Sequence, residues 1–470
     1  MKLNNKYIKG LLIAVAALSS VALTSCEDEP DKFEPASGKP TIKYIRCMST
    51  EIHNWDDDPN MQYTDGQLVT SASPGNTLAI IGENMRSVYE VWFNDLQASL
   101  NQSSLTDNTL FVTVPSRVPG EVTDKIYFVT TSKDTVAYDF KVIISAPIIN
   151  SMANEYAKAG TIQSLKGNYF IDDPGTPLSI SFTGNNGSLI PAEIVSIASD
   201  FTSVDIVVPE GAVSGPIVAR SVYGTTKSAF WYKDNRGMLF DFDGLTGLGN
   251  HGWHARDILS DETSISGNFV QLGNGTAKLG AEATSTWDDG NFSFEYWPGN
   301  WQDPETYAPA SDSDQNGPRL LDLVDFSDWE NMSLKFELYI PSSNPWSAQS
   351  MQIIFAGVDQ VSNGAAGAKD IYGNTLAGAN NSYFQGSTLP RILYRPWTST
   401  GSFDTGDQWQ TITLPLKASL IYGADGTSAT SSISKDSFAS LVIFVWNGGI
   451  DGTDCQPIIK IDNIRVVPNK

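Results

Sequence analysis

Residues 78–85 read LAIIGENM and residues 165–170 read LKGNYF, two short runs that each reach a glycine followed closely by an asparagine. Each run is followed by an aromatic, strand-like run and then by a β-branched run that stops at Pro115 or Pro209. Proline cannot donate a hydrogen bond to a strand ladder, so each of these prolines marks the end of a strand. The same order of features therefore occurs twice, which predicts two tandem β domains built on one plan.

Gly82 and Gly167 are the fixed points of this repeat. Each follows a strand-like run, where glycine adopts a left-handed backbone without the steric cost of a Cβ atom, and we expect that backbone at both positions. The repeated pattern resembles the immunoglobulin-like TIG domains, which are small seven-strand sandwiches that act as spacers. It places the two domains at residues 40–146 and 147–234.

The last part of the chain, residues 235–470, is also rich in short β-runs but contains nine of the 12 tryptophans. About 230 residues of antiparallel strands with large loops suit one jelly roll. The opening run 239–244 (LFDFDG) and the closing run 458–467 (IIKIDNIRVV) are expected to pair centrally, as in jelly-roll carbohydrate-binding modules. The chain is therefore predicted to be all-β, with two tandem immunoglobulin-like sandwiches followed by a jelly-roll β-sandwich.

Residues 1–25 have the plan of a lipoprotein signal peptide. A basic head precedes an apolar run too short to span a bilayer comfortably, and small residues then lead to Cys26. The acidic residues 27–29 resemble the signal by which Bacteroidota send lipoproteins to the outer leaflet of the outer membrane. We expect a chain that is lipidated at Cys26, anchored in the outer membrane and facing the cell exterior, with residues 26–39 as a flexible tether. The alternative is an ordinary signal peptide with an accidental cysteine.

The charge of the chain restricts the class of partner. The formal net charge is −23, from 53 acidic and 30 basic residues. Nucleic acids and anionic membrane surfaces need a basic footprint on the protein, so neither is expected as a partner. A neutral ligand is compatible with this charge.

Several aromatic side chains of the last domain lie in turns, where exposure is more common than in strands. Flat aromatic rings suit the apolar C–H faces of sugars, while amide, carboxylate and guanidinium groups bind the hydroxyls. Arg391 and Arg395 share one strand face by the period of two and make a candidate polar clamp, although a salt-bridged face explains them nearly as well. Packing in the core is the alternative for each indole, and Trp409 and Trp446 are expected in the core. The predicted ligand-binding residues are Trp297, Trp301, Trp346, Trp397, Tyr296, Tyr307, Arg391 and Arg395.

The lipid anchor, the TIG-like repeat and the Trp-rich jelly roll together resemble the B-type surface glycan-binding lipoproteins of Bacteroidota polysaccharide-utilisation loci. The resemblance covers essentially the whole chain and includes the run 345–355, PWSAQSMQIIF. It implies non-catalytic capture of a polysaccharide, with a β-glucan as the best expectation. It also implies that the protein functions together with a companion lipoprotein and a TonB-dependent outer-membrane transporter.

The likeness to carbohydrate-binding modules also implies that an aspartate of the closing strand can help to hold a structural calcium ion. Asp462, with Asp241 or Asp243 opposite, is the candidate here. Capping of backbone amides by these carboxylates is an equally good explanation. No other cofactor is expected.

Two rival functions remain open at this level. A glycoside hydrolase on a jelly roll needs two carboxylates about 5 Å apart, usually on one strand face, and no such pair of glutamates is evident. An adhesin that binds protein needs an apolar patch without clefts of sugar size.

Overall fold

The computed structural model describes residues 38–48, 67–249, 256, 258–285, 287–296, 318–357 and 389–469. The chain divides into two compact units, Met1–Ile144 and Ser145–Lys470. Within the described residues, no helix is both long and apolar enough to cross a membrane. The helices there are short: α1 (Asp289–Phe292), α2 (Leu320–Leu323) and α3 (Leu416–Ser419), with 3-10 turns at Met85–Ser87, Asn185–Gly187, Trp329–Asn331, Pro396–Ser399 and Lys435–Ser437.

The first unit contains one immunoglobulin-like sandwich. Its larger sheet has the strand order β2-β1-β4-β8-β7, its second sheet has the order β10-β9-β5-β6, and β11 pairs with β3. Strand residues alternate between a buried and a more exposed side, as in β9, so the core is made by the two inner faces. The strands are β1 (Thr41–Cys47), β2 (Gln67–Leu68), β3 (Ser71–Ala72), β4 (Thr77–Glu83), β5 (Val88–Phe93), β6 (Leu96–Ala98), β7 (Leu100–Leu105), β8 (Thr109–Thr113), β9 (Lys125–Thr130), β10 (Thr135–Asp139) and β11 (Lys141–Val142).

The second unit begins with another sandwich of the same kind. Its sheets have the orders β12-β13-β17-β16 and β15-β14-β18-β19. Phe182 and Tyr232 pack edge to face in its core, with ring centroids 5.0 Å apart. The strands are β12 (Ile148–Met152), β13 (Ile162–Asn168), β14 (Ser179–Thr183), β15 (Leu189–Pro191), β16 (Glu193–Ile197), β17 (Ser203–Val207), β18 (Gly215–Ser221) and β19 (Gly224–Tyr232).

Glycine is required at the two fixed positions of the repeat for a different reason from the one expected. Gly82 and Gly167 lie inside β4 and β13, where the neighbouring strand has a bulge, and the left-handed backbone falls two residues later, at Asn84 (φ 55°) and Tyr169 (φ 61°). A Cβ on Gly82 would lie 2.1 Å from the Thr41 carbonyl oxygen, and a Cβ on Gly167 would meet its neighbouring strand equally closely. The expectation of a left-handed backbone at the glycines is therefore wrong. Glycine is required because another backbone approaches it.

The chain ends in a jelly-roll β-sandwich, which completes the predicted all-β fold. One sheet has the order β21-β22-β29-β24-β27, with β20 also paired to β29, and the other has the order β23-β28-β25-β26. The first and last strands of the domain pair as expected, because Met238 and Phe240 of β20 lie against β29. The strands are β20 (Met238–Phe240), β21 (Ile258–Leu259), β22 (Phe269–Leu272), β23 (Ser293–Tyr296), β24 (Met332–Tyr339), β25 (Met351–Ala356), β26 (Ile392–Tyr394), β27 (Gln410–Pro415), β28 (Ser440–Val445) and β29 (Ile459–Pro468).

Buried charges join the second sandwich to the jelly roll. Glu155 of the sandwich accepts hydrogen bonds from Lys335 on β24 (2.6 Å) and from Arg465 on β29 (2.8 Å). Arg465 also pairs with Glu337 at 2.8 Å, and all four side chains are almost completely buried. The Arg465 guanidinium lies 4.9 Å from the centre of the Tyr156 ring, again across the junction. The second sandwich and the jelly roll therefore form one packed unit.

Candidate functional site

The sheet β23-β28-β25-β26 is apolar on both faces. Its inner face, with Phe294 and Ile443 among others, faces the main core of the jelly roll. Its outer face carries a separate apolar cluster of Ile354, Ala356, Val442 and Phe444. One face of an antiparallel sheet is commonly left to solvent, whereas all four residues of this outer cluster are buried, so the sheet has a second apolar layer beneath whatever lies on this face.

Two tryptophans lie at this outer face and are only partly buried. The ring centre of Trp287 is 4.5 Å from that of Phe444 and 5.2 Å from that of Trp446, to which it is inclined by 60°. Both indoles pack against the outer cluster, together with Leu389. The Trp446 Nε1–H donates to the Ser285 carbonyl oxygen at 2.9 Å, which fixes the orientation of that indole. The outer face thus presents a pair of oriented aromatic rings on an apolar floor.

Local structure explains how each of these indoles reaches the face. Trp446 directly follows β28 and continues the period of two set by Val442 and Phe444. Trp287 lies just before α1, whose first turn is capped by the Asp288 side chain accepting from the Asn291 amide. A strand register and a helix cap therefore position the two rings independently of each other.

The two arginines of the predicted clamp stabilise, by hydrogen bonds, the backbone beside these rings. The Arg391 Nη1–H donates to Gln352 Oε1 at 2.7 Å, and Gln352 Nε2 in turn donates to the Trp446 carbonyl oxygen at 2.6 Å. Arg395 donates from Nη1 to the Gly448 carbonyl oxygen. Arg391 is wholly buried, so the prediction that it binds sugar at the surface is wrong. Both arginines hold the segment that begins at Trp446.

Three other predicted ligand residues lie inside the protein. Trp346 is 0% exposed and donates its Nε1–H to the Ala348 carbonyl oxygen at 2.7 Å, and Trp397 is 4% exposed and donates to the Gln349 carbonyl oxygen at 2.8 Å. Tyr296 is 2% exposed, and burial raises the pKa of its phenol. Their predicted exposure is wrong, because the turns that carry the two indoles fold back on the core and supply a carbonyl to each indole N–H.

The remaining predictions concern two indoles that were expected in the core and four residues that lie outside the described part of the chain. Trp409 lies in a buried cluster as expected, whereas Trp446, also expected in the core, is partly exposed. The predicted ligand residues Trp297, Trp301 and Tyr307 and the lipidation site Cys26 lie outside the described residues.

The missed residues had a readable signal. Residues 440–446 read SLVIFVW, which is apolar at nearly every position. A half-buried antiparallel strand alternates apolar and polar residues, so this run indicates two apolar faces and assigns Trp446 to the outer one with Phe444. Nothing comparable marks Trp287.

The three aspartates predicted to hold calcium are bound to backbone amides and a hydroxyl. Asp241 accepts from the Leu245 amide at 2.8 Å, and Asp243 accepts from the Asn268 amide at 2.7 Å. Asp462 accepts from the Asn463 amide at 2.7 Å and from Ser266 Oγ at 3.2 Å, and burial raises its pKa to about 8. The part of the chain that the structure describes contains no group of three or more His, Cys, Asp or Glu side chains placed to hold a metal ion. Capping, the alternative explanation, accounts for these carboxylates, and the geometry gives no support to the predicted calcium ion.

Comparison with known proteins shows which family the jelly roll resembles. Residues 232–468 match the family model described as the surface glycan-binding protein B xyloglucan binding domain. The crystal structure of the surface glycan-binding protein PbSGBP-B from Prevotella bryantii is similar at 45% sequence identity, with a TM-score of 0.75 over 93% of this chain and 100% of that chain. An IPT/TIG domain-containing protein of Bacteroides ovatus is 25% identical over 207 residues, which are 42% of this chain. The match spans only 38% of that relative's length.

Proposed function

Since this chain belongs to the family of surface glycan-binding proteins of type B, we propose that it binds a neutral β-glucan chain on the outer face of its jelly roll and does not cleave it. The observation that carries this proposal is the pair of partly exposed indoles, Trp287 and Trp446, fixed over the apolar outer face. A pyranose ring stacks its C–H face on such a surface and gains apolar burial without losing the hydration of its hydroxyls.

The nature of the ligand follows from the family and from charge. The matched family model is named for xyloglucan, a neutral polysaccharide with a glucan backbone, and we propose xyloglucan as the first ligand to test. The net charge of −23 disfavours an anionic polysaccharide, because like charges repel over the distance of approach.

Binding without cleavage fits the role of Asp288, the acidic residue next to Trp287. A retaining hydrolase needs two carboxyl groups about 5 Å apart that are free to act on the sugar. Asp288 is engaged by the Asn291 amide and carboxamide, at 3.1 Å and 2.9 Å, as the cap of α1. The resemblance to binding proteins favours capture over hydrolysis.

The cellular setting is part of the same proposal. The signal-like residues 1–25, Cys26 and the acidic residues 27–29 support a lipid anchor in the outer membrane that faces the cell exterior. A glycan-binding protein held there would concentrate polysaccharide for a TonB-dependent transporter and a companion lipoprotein. Labelling with a palmitate analogue in cells tests the anchor, and Cys26→Ala should abolish the label.

Calorimetry with xyloglucan tests the proposal directly. Trp446→Ala and Trp287→Ala should each weaken binding by about 1–3 kcal/mol, or roughly 5- to 150-fold in Kd, because each removes a central aromatic anchor. Trp231→Ala is the matched control, since it removes a partly exposed indole of the second sandwich, away from the face. Wild-type affinity in both face variants, or release of reducing sugar by the wild-type protein, would overturn the proposal.

A further inference from the structure

The N-terminal sandwich carries an aromatic row on the outer face of its sheet β10-β9-β5-β6. Trp92 of β5 lies opposite Gln97 on one side and Tyr127 on the other, and Tyr127 lies opposite Ala137. Both rings are partly exposed, while the alternate residues of β5 and β9 are buried. The pleat therefore turns this row outward, across four strands.

Trp92 and Tyr127 lie directly opposite each other on β5 and β9. Directly opposite side chains of an antiparallel pair have Cβ atoms about 4.5–5.5 Å apart, which sets Trp92 and Tyr127 next to each other. The Trp92 Nε1–H donates to Glu90 Oε2 at 2.8 Å, so the indole has a fixed orientation. On the far side of Tyr127, the methyl group of Ala137 is too small to cover the phenol ring. An aromatic platform two rings wide is thus kept on this sheet.

A groove is lined by two neighbours of Trp92, Glu90 and Gln97, although neither Trp92 nor Tyr127 lines it. Its volume is about 400 Å³, and Glu90 and Gln97 line it as well as flanking Trp92. Tyr89, which is 62% exposed, lies on the same groove. Ligand sites commonly have volumes of about 300–1,000 Å³ and place a few polar groups among apolar ones. The groove therefore has the size and polar lining of a small ligand site.

The charges of this face point to a neutral ligand. Lys125 and Asp139 form an ion pair with each other on neighbouring strands. Glu90 is engaged by the indole N–H of Trp92 and still has acceptor capacity for a hydroxyl. Two flat rings with a carboxylate and a carboxamide beside them suit a sugar better than an ionic ligand.

We propose that Trp92, Tyr127, Glu90 and Gln97 form a second glycan-binding site on the N-terminal sandwich, for neutral pyranose chains. This inference rests on the proposed function, because it gives the same polymer a second and weaker contact. A polysaccharide that engages two linked sites is held more tightly than an oligosaccharide that fills one. The N-terminal domain is then a binding module as well as a spacer.

The test uses the full mature chain with the double substitution Trp92→Ala and Tyr127→Ala. Affinity for long xyloglucan should fall by about tenfold or more, whereas affinity for a short xylogluco-oligosaccharide should stay at the wild-type value. Phe111→Ala is the matched control, because Phe111 is a 40% exposed aromatic residue on the other sheet of the same sandwich. This control should change neither affinity.

A second measurement does not depend on the variants folding. Hydroxyl-radical oxidation of the wild-type protein, read by mass spectrometry, should show Trp92 and Tyr127 protected by long xyloglucan and Phe111 unprotected. If xyloglucan binds and Trp287 is protected while Trp92 and Tyr127 are oxidised as in the free protein, the second site is refuted and the proposed function stands. If the wild-type protein binds no glucan at all, both proposals fail together.

Discussion

The substitution Glu155→Gln tests how strongly the second sandwich is fixed to the jelly roll. Glu155 is almost completely buried, and its two carboxylate oxygens accept from Lys335 at 2.6 Å and from Arg465 at 2.8 Å. The glutamine keeps the size of the side chain but removes its charge. Two buried cations then face the single carboxylate of Glu337, whose pKa is itself raised by burial.

The expected loss of stability is large. Removing one partner of a buried, hydrogen-bonded ion pair costs about 3–5 kcal/mol, because the charge left behind remains buried without compensation. For a unit of this size, each kcal/mol lost lowers the melting temperature by about 2 °C. The melting temperature of the Ser145–Lys470 unit should therefore fall by roughly 6–10 °C.

Differential scanning calorimetry measures this shift, and a surface ion pair supplies the control. Glu330 pairs with Lys417 at 2.8 Å, but both side chains are more than half exposed. Exposed pairs contribute about 0–1 kcal/mol, so Glu330→Gln should lower the transition by no more than about 2 °C. Equal shifts in the two variants would refute the reasoning that burial makes the Glu155 pair important.

Three further predictions concern the domain boundary, Asp462 and two indoles outside the described residues. A fragment of residues 145–470 should bind glycan like the full chain in single-site assays, whereas residues 235–470, which lack Glu155, should melt earlier in calorimetry and aggregate more readily. Asp462 has a folded-state pKa of about 8, well above its ordinary value, so its contribution to stability is present at acid pH and is lost as pH rises towards 8. The melting temperature of Asp462→Asn should therefore depend less on pH between 5 and 9 than that of the wild type, and parallel curves would contradict the assignment. Trp297→Ala or Trp301→Ala should weaken xyloglucan binding by about 1–3 kcal/mol in calorimetry without unfolding the domain, and wild-type affinity in both variants would show that neither indole contacts the ligand.

The fold was predictable because its signals are local. The closing run 458–467 corresponds to β29 (Ile459–Pro468), which pairs with the opening strand β20 as expected. Prolines, glycines and runs of β-branched residues lie within a few positions of the boundaries they determine. The predicted role of Gly82 was wrong because it depends on a non-local contact. The atom that excludes a Cβ at Gly82 belongs to Thr41 on another strand.

The candidate site was less predictable because the burial of an indole depends on distant contacts. Trp346 and Trp397 lie in turns whose sequences favour exposure, yet both indoles pack in the core and donate to carbonyl oxygens. Trp446 was expected in the core, although its position at the end of the apolar run of β28 was a local signal for the outer face. Glu155 and Arg465 are 310 positions apart in the sequence, and no local sequence pattern predicts their contact.

The buried ion pairs give the second sandwich a role beyond spacing. Lys335 and Arg465 lie opposite each other on β24 and β29, and each donates to a different oxygen of Glu155. Well-packed apolar residues often stabilise such a junction as well as ion pairs do, so energy alone does not explain the charges. Ion pairs are directional, however, and any rotation of the sandwich against the jelly roll breaks at least one of them. The pairs therefore hold the sheet β21-β22-β29-β24-β27, and with it the jelly roll that carries Trp446, at one orientation to the second sandwich. Removing that sandwich would leave the indoles in place but would remove the domain that orients the jelly roll.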